Sequence, residues 1–224
     1  MEYGTHRRLF NLFPVLAGII FAVFAVLSPN IAAAEETEPK YVLALGDSLM
    51  AGYMLDPQDS FPVQLEAALI KDGIQVKVIN ASVSGDTTKG GLARLSWALS
   101  DIPNGKPNLA IVELGANDAM QGKDPARAKA NLSAIIVSLK ATGAKVLLAG
   151  MLASPNMGAG YMADFDPIYE QLAREHNVAL YPFFLDGVAT FPELNLADGK
   201  HPTGEGVSII VTRMLPLVKR LLKE

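Results

Sequence analysis

The sequence predicts one three-layer α/β/α sandwich domain around a central, mostly parallel five-stranded sheet. Three observations predict it. Five short runs are apolar almost throughout, as strands covered on both faces are. Amphipathic stretches separate them, and strand–helix alternation implies a parallel sheet with helices on both faces. Polar, glycine-containing segments follow the strands directly, at the edge where open α/β sheets bind ligands.

The strand runs are Tyr41–Leu45 (YVLAL), Val76–Asn80 (VKVIN), Leu109–Leu114 (LAIVEL), Lys145–Gly150 (KVLLAG) and Val178–Tyr181 (VALY). Among the helices, Asp124-Pro125 reads as an N-cap followed by proline at the first helical position. Ala128, Leu132, Ile135, Ile136 and Leu139 then share a face, and Gly143 is a suitable stop. Phe165, Ile168, Tyr169 and Leu172 form a shorter stripe. The last runs from Val207 to Leu222, and Pro216 is expected to kink it. Trp97, the only tryptophan, falls in a predicted helix where core packing is the plain reading.

Residues 1–34 are predicted to be a secretory signal peptide, leaving 35–224 as the domain. Arg7 and Arg8 make the start basic, Leu9–Leu27 is almost wholly apolar, and Ala32-Ala33-Ala34 offers an A-x-A exit. An uncleaved membrane anchor is the alternative; Asn11, Pro14 and the exit site favour cleavage. The product is then exported, periplasmic or secreted, with no stable membrane span. The formal net charge is -4. An acidic chain without a basic block argues against nucleic acid as a partner. The absence of cysteine excludes a lipoprotein, a disulfide and a thiol nucleophile.

Four segments carry chemistry: Gly46-Asp47-Ser48-Leu49, Asn80–Asp86, Gly115-Ala116-Asn117-Asp118 and Asp198-Gly199-Lys200-His201-Pro202. A serine nucleophile needs a base within hydrogen-bond reach, usually histidine. Of three histidines, His6 leaves with the signal and His176 reads as a solvated helix terminus, so His201 remains. Asp198 could orient it through Nδ1–H and stabilise the imidazolium. Taken alone, Asp198 is equally a turn residue and His201 a surface histidine; the four segments together favour a Ser48–His201–Asp198 triad. The Ser48 N–H, the Gly85 N–H and the Asn117 side-chain amide would form an oxyanion hole, each donor worth about 3 kcal/mol of barrier. Asn117 as a turn residue and Gly85 as a left-handed position are the bland alternatives. Asp47, Asp86 and Asp118 read as loop anchors that bond backbone amides.

Met50, Met54, Leu55, Met120, Met151, Met157 and Phe184 lie in or beside loops at the predicted active edge. They could line an acyl groove or simply pack. A G-x-S-x-G elbow is absent, which disfavours an ordinary α/β-hydrolase lipase. No zinc-binding spacing is present, so no metal is expected.

These blocks resemble those of the SGNH/GDSL hydrolases, with Ser48, Gly85, Asn117 and His201 at their centres. The segments GDSLMAGY, NASVSGDTT, GLARL, VELGAND and YPFF are similar to the periplasmic acyl-CoA thioesterase/arylesterase/lysophospholipase branch. The resemblance implies a flavodoxin-like SGNH fold. It also implies a cofactor-free monomer or weak homo-oligomer acting on small-molecule acyl esters and thioesters through an acyl-enzyme. Ala116 departs from the branch's usual glycine, and the loop Met151–Tyr161 lacks its basic residues. A carbohydrate O-deacetylase of the same fold is the alternative enzyme, and a non-catalytic binding module the alternative outside enzymes.

Overall fold

The computed structural model describes residues 38–224. The expected signal peptide, 1–34, and the domain start at 35 lie outside the described residues. In chain order the elements are β1 (Lys40–Gly46), α1 (Ser48–Ala51), α2 (Phe61–Lys71), β2 (Val76–Asn80), α3 (Thr88–Ala93), α4 (Leu95–Ser100), β3 (Leu109–Glu113), α5 (Ala116–Met120), α6 (Pro125–Ala141), β4 (Lys145–Ala149), α7 (Ala159–Phe165), α8 (Ile168–His176), β5 (Ala179–Tyr181) and α9 (Gly204–Lys223). Four short 3-10 turns, Pro57–Asp59, Pro103–Gly105, Pro155–Met157 and Pro192–Leu194, each open on a proline, whose fixed φ suits a first helical position.

The five strands form one sheet in the order β2-β1-β3-β4-β5, and every neighbouring pair is parallel. Val42–Leu45 of β1 and all of β3 are buried, which explains their unbroken apolar composition. Helices α2 and α9 pack together, as do α3, α6 and α8, so the sheet is the middle of three layers. Along α9, Val207, Ile210, Val211, Met214, Val218, Leu221 and Leu222 are buried. At about 1.5–3 kcal/mol for each fully buried apolar side chain, that stripe is a large gross contribution to folding. The Asp124 side chain caps α6 by accepting the Ala126 N–H at 2.9 Å.

Register aligns the carboxyl ends of the strands. Gly46, Glu113, Ala149 and Tyr181 are successive partners in one row across β1, β3, β4 and β5. The chain therefore leaves the sheet along a single edge. Strand order reverses direction between β1 and β3, the switch point where doubly wound sheets open a crevice. Ser48 follows β1 and Asn117 follows β3, one on each side of that switch.

Several elements differ from expectation. The sequence reading placed no helix at α2, although Phe61, Leu65 and Leu69 bury one face of it. The stripe from Phe165 to Leu172 is split between α7 and α8, because Pro167 has no N–H to continue the first helix. By contrast, α9 runs unbroken through Pro216, which faces solvent, where water can bond the carbonyl it leaves free. Trp97 is 59% exposed: Leu95 and Ala98 form the buried face of α4, and Trp97 points away from it.

Candidate active site

Asp47 follows β1 and caps α1, its Oδ1 accepting the Leu49 N–H at 3.0 Å. This turns the chain so that Ser48 opens α1, where its own N–H has no acceptor inside the helix. Ser48 is 9% exposed. Its Oγ lies 2.8 Å from His201 Nε2, and His201 Nδ1 lies 2.6 Å from Asp198 Oδ2. The structure thus brings together the three residues nominated as a triad.

The loop that supplies His201 is fastened at several points. Asp198 Oδ1 accepts the backbone N–H groups of Lys200 (2.9 Å) and His201 (3.1 Å), while Gly199 N–H donates to Leu196 O and Leu196 N–H to His201 O. Asp198 accordingly serves the ring and its backbone at once. The hydrogen bond from His201, followed by those from the Lys200 and His201 amides, holds the Asp198 carboxyl down at about 2. On its other side the His201 ring meets Tyr53, with centroids 4.6 Å apart.

A second Ser–His contact shows what distinguishes the first. Ser133 Oγ lies 2.8 Å from His176 Nε2, but among the described residues no carboxylate is bonded to that ring, and neither residue lines the cavity beside Ser48. His176 does end α8, as expected, though bonded to Ser133 rather than merely solvated.

Of the nominated oxyanion donors, Asn117 is buried and its Nδ2 donates to Asp47 Oδ2 at 3.0 Å and to Asp86 O at 2.8 Å. Both amide hydrogens are therefore engaged. Gly85 has φ +84° and is exposed; its N–H makes no hydrogen bond among the described residues. A Cβ there would meet nothing within 4 Å. The acidic loop residues act as anchors. Asp118 accepts the Thr88 N–H and Oγ1–H, both at 2.8 Å, and Asp86 pairs with Arg94. The Arg94 guanidinium also donates to Ala81 O and to Gly46 O, tying the ends of β1 and β2 together.

Sequence reasoning missed Glu113. It is fully buried at the end of β3, its Oε2 accepting the Asp47 N–H at 3.3 Å and its Oε1 without a partner among the described residues. Burial first, then the neighbouring Asp47 charge, push its pKa well above the usual carboxylate range. Burial also raises Asp47, to about 6, against the opposing hydrogen bonds from Leu49 and Asn117 and the attraction of His201. Ionisation is therefore easier at Asp47, which faces the donors, than at Glu113 behind it. The available signal was a lone acid in an otherwise apolar strand.

Beside Ser48 and His201 opens a cavity of about 350 Å³. Met120, Met151 and Met157 line it, as expected, together with Ala116, and so do Leu152, Leu185 and Ala189, which had not been singled out. The other nominated groove residues do not. Phe184 and Met50 are wholly buried. The Phe184 N–H bonds Gly150 O at 2.8 Å, which turns its ring inward onto Phe61 at 5.3 Å. Leu55 packs against the core. Met54, at φ +58°, stands 78% exposed outside the cavity. Among the described residues that line the cavity, Lys200 and His201 are the charged or titratable ones, and none is a carboxylate. Among the described residues, no cluster of three or more histidine, cysteine, aspartate or glutamate side chains could hold a metal ion, and no helix is long and apolar enough to cross a membrane.

Comparison with known proteins fixes the class. Residues 44–209 match the model of the GDSL-like lipase/acylhydrolase family, and the chain belongs to it: it is a carboxylic-ester hydrolase of the GDSL/SGNH type. It is 43% identical to an arylesterase of Vibrio mimicus, over 78% of this chain and 86% of that one. It is 37% identical to thioesterase 1/protease 1/lysophospholipase L1 of Escherichia coli, over 89% of this chain and 91% of that one. The crystal structure of AlinE4, an SGNH-hydrolase family esterase, superposes with a TM-score of 0.70 at 47% identity, covering 82% of this chain and 97% of its own.

Proposed function

We propose that the protein hydrolyses acyl esters and thioesters through a Ser48-bound acyl-enzyme. The observation that carries this reading is the continuous path from Ser48 Oγ to His201 Nε2 (2.8 Å) and from His201 Nδ1 to Asp198 Oδ2 (2.6 Å), opening on a largely apolar cavity. Ser48 attacks the acyl carbonyl while His201 takes its proton, and Asp198 stabilises the imidazolium. His201 then protonates the departing oxygen or sulfur, and the acyl group stays on Ser48. Water, deprotonated by the same ring, releases the acid.

The oxyanion is held by the Ser48 N–H, the Gly85 N–H and Asn117. Asn117 keeps its bond to the ionised Asp47, the stronger acceptor, and turns the hydrogen now on Asp86 O toward the developing charge. The acyl chain lies along Met120, Met151 and Met157. Relatives named arylesterase and thioesterase/lysophospholipase support this substrate range. The leader read at residues 1–34 supports export and maturation to a domain beginning near residue 35.

The test is turnover of 4-nitrophenyl acetate, butyrate, octanoate and palmitate, of a long-chain acyl-CoA and of an acetylated sugar, by the purified protein and its Ser48→Ala variant. Ser48-dependent turnover of medium or long acyl groups is expected. Turnover confined to acetyl groups would make it a deacetylase, and none at all a binding protein.

A further inference from the structure

Tyr53 links the nucleophile's turn to the ring of the proposed base. We infer that it is a positioning residue: its ring keeps the His201 imidazole in the plane that serves Ser48 and stabilises the positive charge that forms there. The inference rests on the catalytic reading above and adds a side chain that lies outside the substrate cavity.

The chain brings Tyr53 to His201 by way of the nucleophile. Helix α1 ends after one turn because Gly52 takes the left-handed conformation, φ +82°, with its N–H bonded to Ser48 O. The next amide, that of Tyr53, donates to the same carbonyl at 3.2 Å. A Cβ on Gly52 would lie 2.7 Å from Ser60 Cβ, so the turn has no room for a larger residue. Met54 then adopts φ +58°, a costly conformation for a residue with a side chain. That side chain stands in solvent and gains no packing in return. What the strained turn secures is direction: the Tyr53 ring lies against the His201 ring, with centroids 4.6 Å apart and planes inclined by 37°.

Neither core packing nor the tyrosine hydroxyl accounts for this placement. Tyr53 is 42% exposed, and its hydroxyl has no hydrogen-bond partner among the described residues. The imidazole, by contrast, needs a contact on its face. Its bonds to Ser48 Oγ and Asp198 Oδ2 run from the two nitrogens, and they leave the ring free to tilt about the line joining them. A ring packed on the face limits that tilt. It also acts on charge. When His201 takes the Ser48 proton it becomes a cation, and the negative π face of Tyr53 attracts it. Asp198 serves the same charge from the edge through Nδ1. An attraction that is stronger in the charged transition state than in the neutral ground state raises kcat rather than binding.

Two substitutions isolate the ring face: Tyr53→Leu removes it, and Tyr53→Phe keeps it while removing the hydroxyl. Initial rates on 4-nitrophenyl acetate, butyrate and octanoate give kcat and KM. Rates are normalised to active sites titrated with an organophosphonate, with melting temperatures as a folding check. In Tyr53→Leu, kcat should fall at least about 2- to 5-fold, the size of a partly exposed charge–ring contact. The factor should be the same on all three esters, with KM little changed. Tyr53→Phe should keep the wild-type kcat. The proton between His201 Nδ1 and Asp198 Oδ2, held across 2.6 Å, supplies an independent signature. It should give a proton NMR resonance far downfield of the amides in the wild type and Tyr53→Phe, and a weaker one that exchanges faster with water in Tyr53→Leu. A kcat and a downfield proton unchanged in Tyr53→Leu, or a loss shared equally by Tyr53→Phe, would overturn the role of the ring. A loss confined to KM or to one ester would overturn it as well, by making Tyr53 a binding residue. Turnover that survives Ser48→Ala would instead overturn the catalytic reading, whatever the Tyr53 variants do.

Discussion

Replacing Gly115 by alanine should cost far more stability than the same change at Gly85, although both precede proposed oxyanion donors or supply one. Gly115 has φ +123°, and an added Cβ would lie 2.1 Å from Tyr169 Oη and 3.4 Å from Phe165 Cζ. The buried Tyr169 hydroxyl donates to Leu114 O at 2.8 Å, so the ring must move and that bond is lost. Backbone strain of about 1–3 kcal/mol, an unmade buried hydrogen bond of about 1–3 and overpacking of about 1–3 combine to about 4–6 kcal/mol, taken as partly overlapping. At Gly85 a Cβ meets open space, so only the left-handed φ contributes, about 1–2 kcal/mol. Urea unfolding followed by circular dichroism measures both. The mechanism also fixes a double mutant. Tyr169→Phe removes the atom the new methyl strikes, so Gly115→Ala/Tyr169→Phe should lose at least about 1 kcal/mol less than the sum of the single changes. A Gly115→Ala variant within about 1 kcal/mol of wild type, or strict additivity with Tyr169→Phe, would refute the steric account.

Further expectations concern the site itself. Asn117→Ala should lower kcat by about 10²–10³ with little change in KM, read from initial rates on a 4-nitrophenyl ester. Ser48→Ala should lower kcat by at least about 10⁴ with an unchanged melting temperature; residual activity of a few per cent would point to another nucleophile. Because burial raises Asp47 from 3.8 to about 6, the native state holds a proton that the unfolded chain releases. Unfolding free energy should therefore fall as pH rises from about 4 through 6, by up to about 3 kcal/mol from this group, and Asp47→Asn should lose that slope. Asp198 has the opposite sign. Its contribution is present above about pH 4 and lost as pH falls through about 2, so Asp198→Asn and wild type should converge in acid unfolding at the low end.

The strands were legible because the parallel sheet hides both faces of β1 and β3, leaving no polar alternation to confuse the reading. Ser48, Asn117, Asp198 and His201 were legible because each sits in a polar, glycine-containing segment directly after an apolar run or before the last helix. What failed was depth. Phe184 and Met120 both follow the carboxyl end of a strand, Met120 closing α5, yet a single backbone bond from Phe184 to Gly150 turns one into the core while the other lines the cavity. Nor does a one-letter code say that Glu113 lies behind Asp47, since that pairing arises from register between β1 and β3. Helix α2 escaped because Pro62 near its start reads as loop, although proline there is tolerated in the first turn.

Ser48 and His201 are 153 residues apart in the chain and 2.8 Å apart in space. A polypeptide emerging from the ribosome thus presents its proposed nucleophile early and its proposed base almost last. Until the segment ahead of α9 docks, Ser48 lacks the imidazole that the proposed chemistry requires. Closing so long a span is slow compared with forming a helix or a hairpin. On the proposed mechanism, fragments ending before residue 201 are expected to be silent in an esterase assay.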